Sequence, residues 1–273
     1  MNASSSFIVR LLAFVIATAL PAGPAHAHEY FLEPKKYTVA VGEEFSVEHK
    51  NGQNFSGSTF PWIGSWNARS EVWQNGKGKD YVGNDGDLPA IVLKGDTDGL
   101  MTIIHEGYPS SYTFKTWEKF NTYLEKEGLT ARLPDHLAAG YPKEKIGEVY
   151  TRFAKALVNV GKVSGTDADT GLKIELIAKR NPGLLKRGDA LPVELLYLGK
   201  PLAGATIKVF AGVGNEVARK VITDAKGRAK IPDIGSGPYL LNAIHMFKPV
   251  STSPEAEDAH WETYWASMTF ARP

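Results

Sequence analysis

The feature that most constrains this chain is the rhythm of its turn formers. Asn181-Pro182-Gly183, Arg187-Gly188-Asp189, Gly199-Lys200-Pro201, Asp224-Ala225-Lys226-Gly227 and Gly235-Ser236-Gly237-Pro238 cut its last third into short apolar runs. The interval of about eight to twelve residues is that of a β-sandwich. Within this rhythm the Arg-Gly-Asp tripeptide reads as an inter-strand turn and not as an adhesion motif.

The first third carries the same signal. Tyr37, Val39 and Val41 alternate, Gly42 offers a turn, and Phe45 and Val47 resume the alternation, which predicts two antiparallel strands. The stretch AIVLKGDTDGLMTIIHEG repeats the pattern, with Gly95, Asp96 and Asp98 between two aliphatic runs. Between 113 and 161 the period changes. Trp117, Phe120 and Leu124 follow a Thr116 cap and precede a Gly128 stop, which predicts a helix. Ile146, Val149, Tyr150, Phe153, Ala154 and Leu157, between Pro142 and Gly161, predict a second one. The expected fold is therefore mainly β, with two immunoglobulin-like β-sandwich portions at 28–112 and 162–273 and a helical insertion at 113–161.

Residues 1–27 read as a signal peptide. Arg10 precedes the apolar run Leu11 to Leu20, which is short for a bilayer span, and Ala25-His26-Ala27 has the small-x-small form of a cleavage site. Cleavage there leaves His28 as the new amino terminus of an exported, periplasmic chain that is not membrane-embedded. It also removes one of the 31 basic residues and none of the 30 acidic ones, so the remainder is formally neutral and offers no basic face for nucleic acid. With no cysteine, there can be no disulfide, thiolate ligand or thiol nucleophile.

Metal chemistry, if present, must rest on histidine and carboxylates. An amino-terminal His28 would offer its α-amine and an imidazole nitrogen to one ion, a chelate suited to copper, with nickel or cobalt also accepted. His245 lies near the end of the run YLLNAIHMF and His260 opens HWETYWASMTF, so a hairpin between the two runs would put both at one loop mouth. Glu255, Glu257, Asp258 and Glu262 lie close by as oxygen donors or imidazole partners. His105 ends an apolar strand and is a further ligand candidate. His49, before Asn51-Gly52, reads as exposed, and His136 as part of an interhelical loop; both fall outside the expected site. Affinity should fall as imidazoles protonate near about 6.5. No G-x-S-x-G elbow, H-E-x-x-H helix, P-loop or G-x-G-x-x-G turn is present, so no pattern supports an enzyme of those classes.

Two resemblances add to this. The passage GKPLAGATIKV with TDAKGRAKI resembles the carboxypeptidase-regulatory or transthyretin-like module, which supports the fold and says little of activity. The start HEYFLEP, the passage EVYTRFAKALVNVG, the stretch IELIAKRNPGLLKRGDALPVELLYLGKPLAG and the close YWASMTF together resemble an exported bacterial family carried under a domain-of-unknown-function label and formerly described as the nickel transport subunit NikM. That resemblance implies a periplasmic β-rich protein serving nickel or cobalt uptake, with an envelope metal transporter as partner. Ala27, His28, Glu29, Phe31, Leu32, Glu33 and Pro34 match the family's characteristic mature start. The expectation is a non-enzymatic binding protein for nickel, cobalt or copper, with His28, His105, His245 and His260 as ligands. Its rivals are a histidine-brace copper enzyme acting on polysaccharide and an envelope interaction module without a site.

Overall fold

The computed structural model describes residues 28–212 and 214–273. The proposed signal peptide lies outside them. In chain order the first strands are β1 (Glu29–Pro34), β2 (Thr38–Val39), β3 (Glu44–Gln53), β4 (Ser56–Phe60), β5 (Asn67–Gln74), β6 (Lys77–Asp80), β7 (Ile91–Lys94), β8 (Gly99–Gly107) and β9 (Ser110–Thr116). Helices α1 (Trp117–Glu127) and α2 (Leu133–Ala138) follow, and then β10 (Glu144–Val160). The last part holds β11 (Ile174–Ala178), β12 (Leu191–Tyr197), β13 (Lys200–Pro201), β14 (Thr206–Ala211), β15 (Arg219–Ile222), β16 (Arg228–Ile231), β17 (Gly237–Phe247) and β18 (Trp261–Arg272).

The molecule is a mainly β sandwich with a small helical insertion, and its two halves share one ten-stranded sheet running β15-β14-β17-β18-β10-β8-β5-β6, with β2 and β9 also paired to β10. One small sheet, β1, β3, β4 and β7, covers one face; another, β11, β12, β13 and β16, covers the other. Alternate residues of β10 show the arrangement. Ala154, Ala156 and Val158 join Leu32, Phe45 and Val47 of the first small sheet, while Phe153 and Leu157 join Leu176, Val193 and Leu195 of the second. Helix α1 packs Phe120 and Leu124 on Ile146, Ile244 and Trp265, on the same side as the first small sheet.

The first predicted helix is present. Thr116 Oγ1 accepts the Lys119 N–H at 3.3 Å, and Gly128 ends the helix in the left-handed region with φ 73°. The second is not: residues 144–160 form the strand at the middle of the sheet, parallel to β18 and antiparallel to β8 and β9. Both faces of β10 are buried, so apolar residues occupy successive positions and period two disappears. What remains mimics a helical stripe.

The two predicted hairpins of the first third are also different structures. β2 pairs with β10 and β3 with β1, β4 and β7, so Gly42, at φ 83°, carries the chain from one layer to the other. β7 and β8 likewise belong to different sheets. Alternation announces strands, but it does not say whether a turn closes a hairpin or arches across a sandwich. The β17–β18 hairpin forms as expected, with Gly237 opposite Arg272 and Phe247 opposite Glu262.

Candidate functional site

The inner face of the first sandwich opens into a cavity of about 420 Å³. β3 brings His49 to it, β8 brings His105, β1 brings Tyr30, and β10 brings Arg152. His49 and His105 are each 4% exposed and stand with ring centroids 5.1 Å apart. Tyr30 packs on both, 4.8 Å from His105 and 5.8 Å from His49.

The tautomer of His105 is set by its neighbour. Asn67 donates through Nδ2 to the Ile63 carbonyl at 2.7 Å, which turns its Oδ1 toward His105 Nδ1, also at 2.7 Å. Nδ1 therefore donates, and the lone pair is on Nε2. Gly107 leaves room there, since a Cβ on it would lie 3.5 Å from Nε2. His49 Nε2 is buried with no hydrogen-bond partner in the protein. Burial holds both rings neutral, pushing His49 down to about 4 and His105 well below 6.5, the latter helped by the nearby His49 and the Arg152 cation. Protonation at the expected value near about 6.5 is thus displaced toward acid.

Among the described residues the buried side-chain polar atoms without a hydrogen-bond partner include His49 Nε2, Asn51 Oδ1 and Arg152 Nε, all on residues lining this one cavity. Such groups are costly, so their clustering makes this cavity the candidate site.

The four histidines expected to act together are distributed differently. His105 faces the first small sheet. His245 pairs with Tyr264 on the opposite face of the shared sheet, where its ring packs on Tyr197 at 4.4 Å and Phe247 at 5.4 Å. A continuous sheet separates the two. His260 accepts the Gly147 N–H on Nδ1 at 3.0 Å and packs on Tyr141, beside the helical insertion. His28 precedes β1 on the side that carries Tyr30, and its carbonyl accepts from Arg152 Nη2 at 3.4 Å, so the start of the described chain meets the cavity wall. β1 is well anchored there: Phe31 and Leu32 are fully buried, and Glu29 reaches Lys208 Nζ at 2.8 Å. Of the acidic residues near His260, Glu255 lines the cavity, while Glu262, on β18, is buried and accepts the Val250 and Ser251 N–H groups at 2.8 and 2.9 Å.

His49 takes the place that the sequence reading denied it. It continues the alternation of Phe45 and Val47, both buried, so the period-two pattern itself assigned it to the inner face. His136 is not in a loop but on α2, fully buried, accepting Trp261 Nε1–H on Nδ1 at 3.0 Å. Among the described residues no three of His, Asp and Glu come together as a ready metal cluster, and no helix is long and apolar enough to cross a membrane.

The family model described as a domain of unknown function, DUF4198, matches residues 25–247. The chain belongs to this family. Comparison with curated proteins gives no match. Among solved structures the chain is similar to the D0-D1 domain of Intimin, at 12% identity over 89% of this chain and 97% of that one, with a TM-score of 0.21, too low for any argument to rest on it. DUF4198 membership agrees with the unknown-function label of the sequence resemblance and adds no activity.

Proposed function

We propose that this DUF4198 chain is an exported binding protein for a late first-row divalent metal, nickel, cobalt or copper, and that His49 and His105 hold the ion. The observation that carries this is the pair of neutral imidazoles in one cavity, one with its tautomer fixed by Asn67 and the other with an unpartnered Nε2. Two imidazoles ligating one ion at about 2.0–2.1 Å place their ring centres about 4.5 Å apart when they meet at a right angle, as on nickel or copper, and about 5 Å apart at a wider angle; the separation of 5.1 Å is close to the wider arrangement. If processing exposes the His28 amine, that terminus starts beside Arg152 at the same cavity and supplies a further donor. His245 and His260 drop out of the ligand set. The protein then handles or delivers metal in the envelope, with a membrane transporter as its partner, and is not itself an enzyme.

Native mass spectrometry with nickel, cobalt or copper tests this. One ion should bind, be lost in His49→Ala and in His105→Ala, and be kept in His245→Ala and His260→Ala. No bound ion, or loss confined to the His245 or His260 variant, overturns it. Gly107→Val gives a finer check. Its backbone is not in the left-handed region, so the variant should fold, while its branched side chain crowds His105 Nε2 and weakens metal binding about tenfold or more. Unaltered affinity by titration calorimetry would show that the ion does not approach that nitrogen.

A further inference from the structure

The cavity is far larger than an ion. At about 420 Å³ it falls in the range of small-molecule sites, roughly 300–1,000 Å³. Two imidazoles also leave most coordination positions of a divalent ion open, and no third His, Asp or Glu joins them among the described residues. Arg152 is the decisive neighbour. Its guanidinium lines the same cavity, packs over the Tyr150 ring at 4.9 Å, and keeps a buried Nε without a partner. A fixed cation beside the histidines repels a bare dication, whereas it attracts a carboxylate with paired N–H donors. Glu255, the carboxylate in the lining, is exposed and so offsets this charge weakly. Asn51 adds an unpartnered Oδ1 acceptor, and Trp66 and Tyr108, 52% and 55% exposed, provide an aromatic rim.

We infer that the cavity takes its metal as a complex with a small α-amino carboxylate chelator, whose carboxylate pairs with Arg152, whose N–H groups reach Asn51, and whose metal completes its coordination on His49 and His105. This rests on the metal-binding reading above and names the form in which the ion arrives. Such a chelator binds the ion through its own nitrogen and oxygen, filling the positions that the protein leaves open, and its negative charge lowers the repulsion from Arg152.

Titration calorimetry on the purified protein, with nickel chloride in one series and preformed nickel–L-histidine complex in another, separates the two readings. The complex should bind about tenfold or more tightly than the free ion. Arg152→Gln should reverse that preference, weakening the complex and strengthening the free ion, because the anchor and the repelling charge leave together. Asn51→Ala, which removes the acceptor without changing the charge, should reduce the advantage of the complex and serves as the second probe if Arg152→Gln does not fold. Equal affinity for both forms, or an unchanged ratio in folded Arg152→Gln or Asn51→Ala, overturns the chelator inference and leaves the metal site standing. Binding of neither form by the folded protein overturns both.

Discussion

Replacing Lys155 with methionine is expected to cost about 3–5 kcal/mol and to leave the chain barely folded at room temperature. Lys155 is on β10, 1% exposed, with Nζ 2.6 Å from Glu175 Oε1 and 3.2 Å from both Asp167 oxygens. The two carboxylates also hold backbone: Asp167 accepts the Ala178 N–H at 2.9 Å, and Glu175 accepts those of Thr170 at 2.9 Å and Leu172 at 3.2 Å. The cluster thus pins the polar segment between β10 and β11 onto the shared sheet. Without the ammonium, two buried carboxylates face each other unpaired, and desolvation makes that far more costly than losing a surface ion pair. Charge, not shape, is the main cause, so a triple change Lys155→Met, Asp167→Asn and Glu175→Gln should recover part of the loss: each amide oxygen still accepts one of the N–H groups, while its NH2 cannot accept the other. Urea denaturation of the single and triple variants checks this. A single variant within about 1 kcal/mol of the parent, or a triple variant no better than the single, would show that the cluster is not what fixes the segment.

The readings that held and those that failed differ in what kind of information they needed. Helix α1 was legible because its cap, its apolar stripe and its stop all lie within residues 116–128. The β17–β18 hairpin was legible for a similar reason, as two strands joined through one loop. β10 was not, because its partners β8, β9 and β18 are distant in sequence, Glu148 pairing with Trp261 113 residues on, and burial on both faces erased the alternation that would have marked it as a strand. That error hid Arg152, which as a strand residue alternates with Ala154 and Ala156 on the side of the first small sheet. It also hid the fact that one sheet joins both halves, which is what sets His105 and His245 on opposite faces. Pairing of His49 with His105 depends on two sheets meeting, a relation no local pattern contains. Only the inward placement of His49 was available, through Phe45 and Val47.

Stability relative to a Glu148→Gln variant should fall as pH rises from about 4.5 to about 7. Glu148, on β10 beneath α1, is 3% exposed, and burial raises it from 4.5 to about 7 against the opposing effect of hydrogen bonds from Thr263 and Tyr123. The Glu127 carboxylate raises it further and the Arg152 cation lowers it. Because the folded protein binds this proton more tightly than the unfolded chain, the associated stability is complete below about 4.5 and is lost as pH climbs through about 7. The loss is on the order of 3 kcal/mol. Glu148→Gln cannot ionise, yet its amide oxygen can accept from Tyr123 Oη, now at 2.8 Å, and from Thr263 Oγ1, at 2.5 Å. The variant should therefore match the parent near pH 4 and exceed its stability above pH 7. His49 and His105, held below their ordinary values, act in the opposite sense, their stability being lost as pH falls, but they are common to both proteins and cancel in the difference. Since Tyr123 belongs to α1, hydrogen exchange over Trp117–Glu127 should quicken above pH 7 in the parent more than in Glu148→Gln, after correction for intrinsic rates. Parallel stability curves for the two proteins across this range would show that Glu148 is ionised throughout and that α1 rests on a carboxylate, not on a neutral acid.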